Sequence, residues 1–209
     1  MPEATWREEF ATPEALTDWE PSRFISCTDA SWIVTGVGVK HDSACSAVEY
    51  PEGLDAGSIL RTREAEFDGG WLVARVYATD DDGVGLIYGV DKFTYYRASV
   101  DLATRLARLD LADTGHGVPY QAMEPTLDKY NTPLADALAD TPQARWFLLA
   151  VRWAGGTHEL YVDGQLVLTA KDSVLGPGRF GLYAYGMFDL RIDWIATYPD
   201  GPVPWEPLP

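Results

Sequence analysis

Thr79 to Asp101 reads TDDDGVGLIYGVDKFTYYRASVD, and this stretch decides the fold. Three consecutive carboxylates, Asp80, Asp81 and Asp82, lead through Gly83 into two extended runs, VGLIYG and FTYYRASVD, separated by Val90, Asp91 and Lys92. Short runs of β-branched and aromatic residues, bounded by Asp and Gly with a polar turn between them, predict a β-hairpin. Three like charges in one turn repel each other unless cations or donors neutralise them. The turn is therefore either fully solvated or faces a metal.

Ahead of the hairpin the same grammar continues. The run SILRTREAEF sets Ile59, Arg61, Arg63 and Ala65 against Leu60, Thr62, Glu64 and Glu66, a strand with one strongly polar side. FDGG then makes a turn and WLVARVYAT a strand. Between Arg23 and Tyr50, short apolar runs alternate with Asp, Ser and Gly, which predicts further strands, and PEAL near the start predicts one helical turn. Behind the hairpin, LATRLARLDLA admits a helix on Leu102, Leu106 and Leu109, or a turn at Ala103 and Thr104 followed by a strand; the strand is the preferred reading. From Asp113 to Gln143 the composition turns to Gly, Pro, Asp, Asn and Thr, predicting a long irregular segment with a helical turn at ADALAD. The last third is strand after strand: ARWFLLAVRWA, THELYVDGQLVLTA around Asp163-Gly164, RFGLYAYG and FDLRIDWIATYP. Such regular spacing predicts a sandwich or barrel.

The chain has 209 residues, 46% of them hydrophobic, enough for one sizeable core. We expect a single domain over 1–198 and a Pro-rich extended segment over 199–209, since PDGPVPWEPLP cannot enter a sheet interior. The net charge of -16 repels phosphate backbones and anionic lipid, arguing against nucleic-acid partners, and no apolar run is long enough for membrane insertion. MPEATWREEF carries acids where a signal peptide needs a basic start, so we expect a soluble chain whose export signal was removed or never existed. Cys27 and Cys45 fit no metal-ligand spacing. They are either free thiols or a bridge closing a loop of about 19 residues, worth roughly 3 kcal/mol and pointing to an extracytoplasmic protein.

The order DDDGVGLIYG, YYRASVD, RLARL, a long loop, then LYVDGQLVLTAKDSVLGPGRFGLYAYGMFDLRIDWI resembles the concanavalin A-like superfamily of laminin G and thrombospondin C-terminal type, over roughly Ser31 to Tyr198. The resemblance implies an all-β, two-sheet antiparallel jelly-roll sandwich with calcium at its edge and a role in glycan binding, adhesion or polysaccharide cleavage, and we expect the chain to be secreted or extracytoplasmic. Calcium needs six to eight oxygens, and Asp80, Asp81 and Asp82 offer several beside a glycine, although DDDG is also ordinary turn chemistry. A second calcium position implied by the resemblance pairs Asp193 with the chain near Glu9 and Phe10.

The resemblance also sets what a catalytic chain would carry. A hydrolase would place acids at i, i+2 and i+4 on one strand, but REAEF offers only Glu64 and Glu66, and HELYVD only Glu159 and Asp163 around Tyr161. RTRE and YYR resemble alginate-lyase strands, yet the accompanying Gln-x-His element is absent. His41, His116 and His158 lie in or beside turns and read as solvated. We therefore expect binding rather than catalysis, with cleavage as the alternative. Sugar rings stack on aromatics while charged side chains bond their hydroxyls. The expected ligand face combines Arg61, Arg63, Tyr88, Tyr95, Arg97, Tyr183 and Tyr185, with a polysaccharide, glycan or protein as partner. Alternation puts Tyr95 and Arg97 on one side of their strand and Tyr96 on the other.

Overall fold

The computed structural model describes residues 2–24, 31–42, 57–91, 94–113 and 131–204. Cys27, Cys45, Lys92, His116 and Trp205–Pro209 lie outside them, and with them the pairing of the cysteines and the end of the Pro-rich tail.

Fifteen strands are described: β1 (Trp6–Glu8), β2 (Trp19–Phe24), β3 (Trp32–Thr35), β4 (Gly38–His41), β5 (Gly57–Phe67), β6 (Gly70–Tyr77), β7 (Gly83–Asp91), β8 (Thr94–Asp101), β9 (Leu106–Asp113), β10 (Asn131–Leu138), β11 (Trp146–Ala154), β12 (Thr157–Val162), β13 (Gln165–Lys171), β14 (Gly178–Tyr185) and β15 (Leu190–Tyr198). A short 3-10 helix at Pro13–Asp18 carries the expected PEAL turn. The strands form two antiparallel sheets, one eight-stranded in the order β13-β12-β11-β6-β15-β4-β3 with β1 also on β15, the other seven-stranded in the order β10-β9-β8-β7-β14-β5-β2. This is the expected two-sheet sandwich. Among the described residues no helix is long and apolar enough to cross a membrane.

Alternation builds the core. Leu86, Tyr88, Tyr96, Ala98, Phe180 and Leu182 from one sheet meet Leu72, Ala74, Phe147, Leu149, Val151 and Ile195 from the other. The tight turns follow from residues that accept a left-handed backbone. Asp163 and Gly164 have φ 49° and 77°, and Gly155 and Gly156 have φ 56° and 74°, the paired positive angles of a two-residue hairpin turn.

The strand reading of RLARLDLA holds as β9, with the chain turning just before it. The helical turn expected at ADALAD does not form. Asn131–Leu138 pairs with β9 as an edge strand, and a register shift between Pro133 and Ala135 accommodates the missing proline donor. Leu134, Ala135 and Ala137 then pack on the core, so tertiary pairing overrides the local composition.

Candidate functional site

Every second side chain of the seven-stranded sheet points away from the core, and these outward residues form the candidate site. Register aligns Ile87 with Arg97 and Arg97 with Asp110 across β7, β8 and β9. It also sets Ile59 beside Tyr183, and Arg61 opposite Gly181 on β14 and opposite Glu20 on β2. Ile59, Ile87, Val90, Tyr95, Ala112 and Tyr183 pack together as a second apolar cluster on this face, with Tyr185 against it.

At its centre lies a buried ion pair. Arg97 donates from Nη2 (2.6 Å) and Nε (3.2 Å) to Asp110 Oδ2, with side-chain exposures of 5% and 1%. The Tyr183 ring covers the guanidinium, 4.8 Å from its carbon. Burial works against the Arg97 charge, but Tyr183 and Asp110 outweigh it and hold the pKa above the ordinary value. Asp110 Oδ1 is also buried and has no hydrogen-bond partner among the described residues, with Arg108 Nε 4.0 Å away. Toward the β2 edge, Glu20 Oε2 accepts from Arg61 Nη2 (2.9 Å) and Arg179 Nη1 (3.2 Å). Burial alone would raise the Glu20 carboxyl, but Arg61, then Arg179 and Arg63, hold it below its ordinary value. Arg61, Tyr95, Arg97, Tyr183 and Tyr185 make further contacts beyond these. Arg97, Asp110, Tyr95 and Tyr183 are buried, while Glu20, Arg61, Arg179 and Tyr185 keep partial exposure and offer guanidinium donors, a carboxylate acceptor and an aromatic ring, the groups that bond hydroxyls and cover the apolar face of a sugar.

Five of the seven expected face residues, Arg61, Tyr95, Arg97, Tyr183 and Tyr185, come together here. Tyr88 does not. Its register partner is Tyr96, both point inward, and Tyr88 is fully buried with its hydroxyl 2.9 Å from His158 Nδ1. Arg63 is drawn aside to the β2 edge, where its charge still acts on Glu20. β5 departs from the ladder between Arg61 and Glu66, Thr62 Oγ1 donates to the Ala65 carbonyl at 2.6 Å, and Arg63 Nε reaches the Thr17 carbonyl at 3.0 Å. Asp110, Glu20 and Arg179 are the members that sequence reasoning missed. The signal for Asp110 was available, because in RLARLDLA it shares its side of the strand with Arg108.

The histidines also depart from expectation. His41 and His158 are 1% and 0% exposed rather than solvated, since each sits on a strand with its ring turned inward. His158 bridges Tyr88 and the Asp172 carbonyl (3.0 Å), and Tyr96 donates to the Asp172 carboxylate while accepting from Leu175 N–H (3.0 Å). Burial lowers the His158 pKa and raises that of Tyr96 to about 12, so both are neutral near pH 7. This network ties the 172–175 crossover to both sheets.

At the opposite end of the sandwich, ligand atoms of Asp80, Asp81 and Asp82 lie within 4.8 Å of one another. Burial first, then Asp80, Asp81 and Asp101, raise the Asp82 pKa, and among the described residues no Lys or Arg pairs with the three. Asp80 accepts from the Asp81 N–H (2.9 Å) and the Phe188 N–H (3.2 Å), and with no cationic side chain beside them among the described residues the three carboxylates offer the oxygen-only set that suits a hard dication. Asp193 does come beside Glu9 and Phe10, lining one cleft with them. However, Arg75 Nη1 lies 2.7 Å from its Oδ2, so a guanidinium already matches this carboxylate, and the position does not fit a calcium ion.

No family model matches the chain, and no curated protein matches it. Solved structures do. The carbohydrate-binding module CBM66 from Bacillus subtilis aligns with a TM-score of 0.61 at 18% identity, covering 84% of this chain and 92% of that one. A Bacillus subtilis protein of unknown function with a galectin-like fold aligns at 0.67 and 11% identity, covering 95% and 98%. The laminarinase from Rhodothermus marinus aligns at 0.63 and 13% identity, covering 95% and 98%. These likenesses, with the two antiparallel sheets and their order, show that the chain has the concanavalin A-like jelly-roll fold.

Proposed function

We propose that the chain is a non-catalytic glycan-binding or adhesion module, working outside the cytoplasm, whose ligand lies along the outer face of the seven-stranded sheet. The observation that carries this reading is the buried Arg97–Asp110 pair beneath Tyr183, flanked by Tyr95, Tyr185 and the Arg61–Glu20–Arg179 group. A buried pair of this kind gives a fixed geometry rather than stability, which suits a platform beneath the partly exposed Arg61, Glu20, Arg179 and Tyr185 that would meet the ligand. Calcium bound by Asp80, Asp81 and Asp82 would hold the hairpin mouth at the end of this face. The structural neighbours that bind or act on polysaccharides support the ligand class.

Cleavage is the second reading, favoured by the laminarinases among the neighbours. Hydrolysis needs two carboxyl groups flanking the scissile bond, roughly 5 to 9.5 Å apart. On the described face Asp110 and Glu20 are both held in ion pairs, which favours binding. Affinity electrophoresis against laminarin, levan and mucin, with a reducing-end assay on the same mixtures, tests both. Retention by at least one polymer without new reducing ends, weakened in Arg61→Ala, is expected. No retention by any polymer overturns the binding reading, and new reducing ends establish cleavage.

A further inference from the structure

The eight-stranded sheet carries a second cleft that the reading above does not use. β15 pairs with β4 through Leu190–Ile192 and with β1 through Ile195–Thr197, so on that edge Asp193 and Trp194 face neither strand. On the other edge the register with β6 shifts between Ile192 and Trp194, making Asp193 a bulged residue. Bulges re-aim side chains and are common beside functional sites. The resulting notch, about 530 Å³, is lined by Arg7, Glu9, Arg75, Asp193, Trp194 and the Thr35–Gly38 turn, and its volume falls within the range of small-ligand sites.

Its walls are built with care. Arg7 lies over the Trp194 ring at 4.4 Å and donates from Nε to Glu9 Oε1 at 2.9 Å. Arg75 lies over Trp146 at 4.8 Å and donates from Nη1 to Asp193. Phe10, which also lines the notch, holds φ 49° although it is bulky and fully buried, with its N–H on Glu8 Oε1 at 2.6 Å. A strained aromatic residue of this kind persists only where its surroundings over-determine it. Gly38 cannot carry a side chain, since a Cβ there would stand 2.0 Å from the Ile192 carbonyl oxygen.

The notch holds two guanidiniums and two carboxylates, formally neutral in a chain of net charge -16. A charged ligand would have to displace one partner of an existing pair. A neutral ring bearing several hydroxyls would not, since each hydroxyl both donates to a carboxylate oxygen and accepts from a guanidinium N–H. We propose that this notch is a binding site for a neutral monosaccharide unit, separate from the outer face of the seven-stranded sheet. It rests on the glycan-binding reading only for the class of ligand.

The test is the indole N–H spectrum of the ¹⁵N-labelled protein, with the Trp194 resonance assigned through Trp194→Phe, titrated with D-glucose, D-galactose, D-mannose and D-fructose at tens of millimolar, and with D-galacturonate as the charged control. A saturable Trp194 shift with at least one neutral sugar is expected, weakened about tenfold in Arg7→Ala by loss of one charged donor and unchanged in Arg61→Ala. No shift with any of the four, a shift with galacturonate alone, or a shift lost in Arg61→Ala but kept in Arg7→Ala overturns the site. Because Arg61 belongs to the other sheet, failure here leaves the electrophoresis result standing, and the converse holds.

Discussion

Removing Asp110 breaks the most deeply buried ion pair on the proposed ligand face. Arg97 and Asp110 have side-chain exposures of 5% and 1%, so solvent screens neither group. Asp110→Ala leaves the guanidinium with its Tyr183 ring and its further contacts but without the Asp110 carboxylate. Breaking one side of such a pair costs about 3–5 kcal/mol. In a domain of this size each kcal/mol moves the thermal midpoint by about 2–4 °C, so the midpoint should fall by roughly 6–20 °C. The control is Arg97→Met with Asp110→Leu, which removes both charges at similar volume and should recover most of the loss. Thermal melts by circular dichroism measure both. A fall below about 2 °C for Asp110→Ala would mean that water already reaches the pair, and the pre-organised face would have to be abandoned. A double variant as unstable as the single one would locate the cost in packing instead of charge.

Three further outcomes follow from the same contacts. His158 and His41 have pKa values lowered by burial, so the unfolded state binds more protons, and the stability they contribute is present above about pH 6.5 and lost as the pH falls below it. Urea midpoints should therefore drop between pH 7 and 5, before the carboxylates titrate, and a flat profile would contradict neutral buried rings. Asp82, whose pKa is raised, carries repulsion at neutral pH; Asp82→Asn should raise the midpoint in chelator, while calcium at a hundredfold excess over its dissociation constant should stabilise the wild type by about 2.7 kcal/mol and the Asp80→Asn, Asp82→Asn variant not at all. No calcium shift in the wild type would remove the metal from the account. Gly181→Ala places a Cβ 2.1 Å from the Leu60 carbonyl oxygen, against backbone that cannot yield, and should cost more than about 3 kcal/mol in urea denaturation; a cost under about 1 kcal/mol would show that β5 and β14 are not in this register.

Most of the strands were legible because their signals are local: alternation in β8, paired positive-φ residues at Asp163-Gly164, and carboxylates before Gly83. β10 was not, since ADALAD has helical composition and becomes a strand only through its pairing with β9. The site was half legible. Alternation within one strand placed Tyr95 and Arg97 together, but Tyr88 depends on the register between β7 and β8, which periodicity within either strand does not give. Arg63 was drawn aside by an irregularity in β5 that only its contact with Thr17 reveals. The Glu20–Arg179 pair joins residues distant in the chain, so it is visible only once the sheet is assembled, whereas Asp110 lies 13 residues from Arg97 on the neighbouring strand and needed only the β8–β9 register.

The central claim is that glycan lies on the outer face of the seven-stranded sheet. Its most direct test is calorimetric titration of the polysaccharide that retains the protein best, using Tyr185→Ala on that face and Arg191→Ala on the opposite sheet. Loss of one aromatic contact should weaken binding about tenfold in Tyr185→Ala and leave Arg191→Ala unchanged. Full affinity in Tyr185→Ala with a loss in Arg191→Ala would place the ligand on the other sheet and contradict the account.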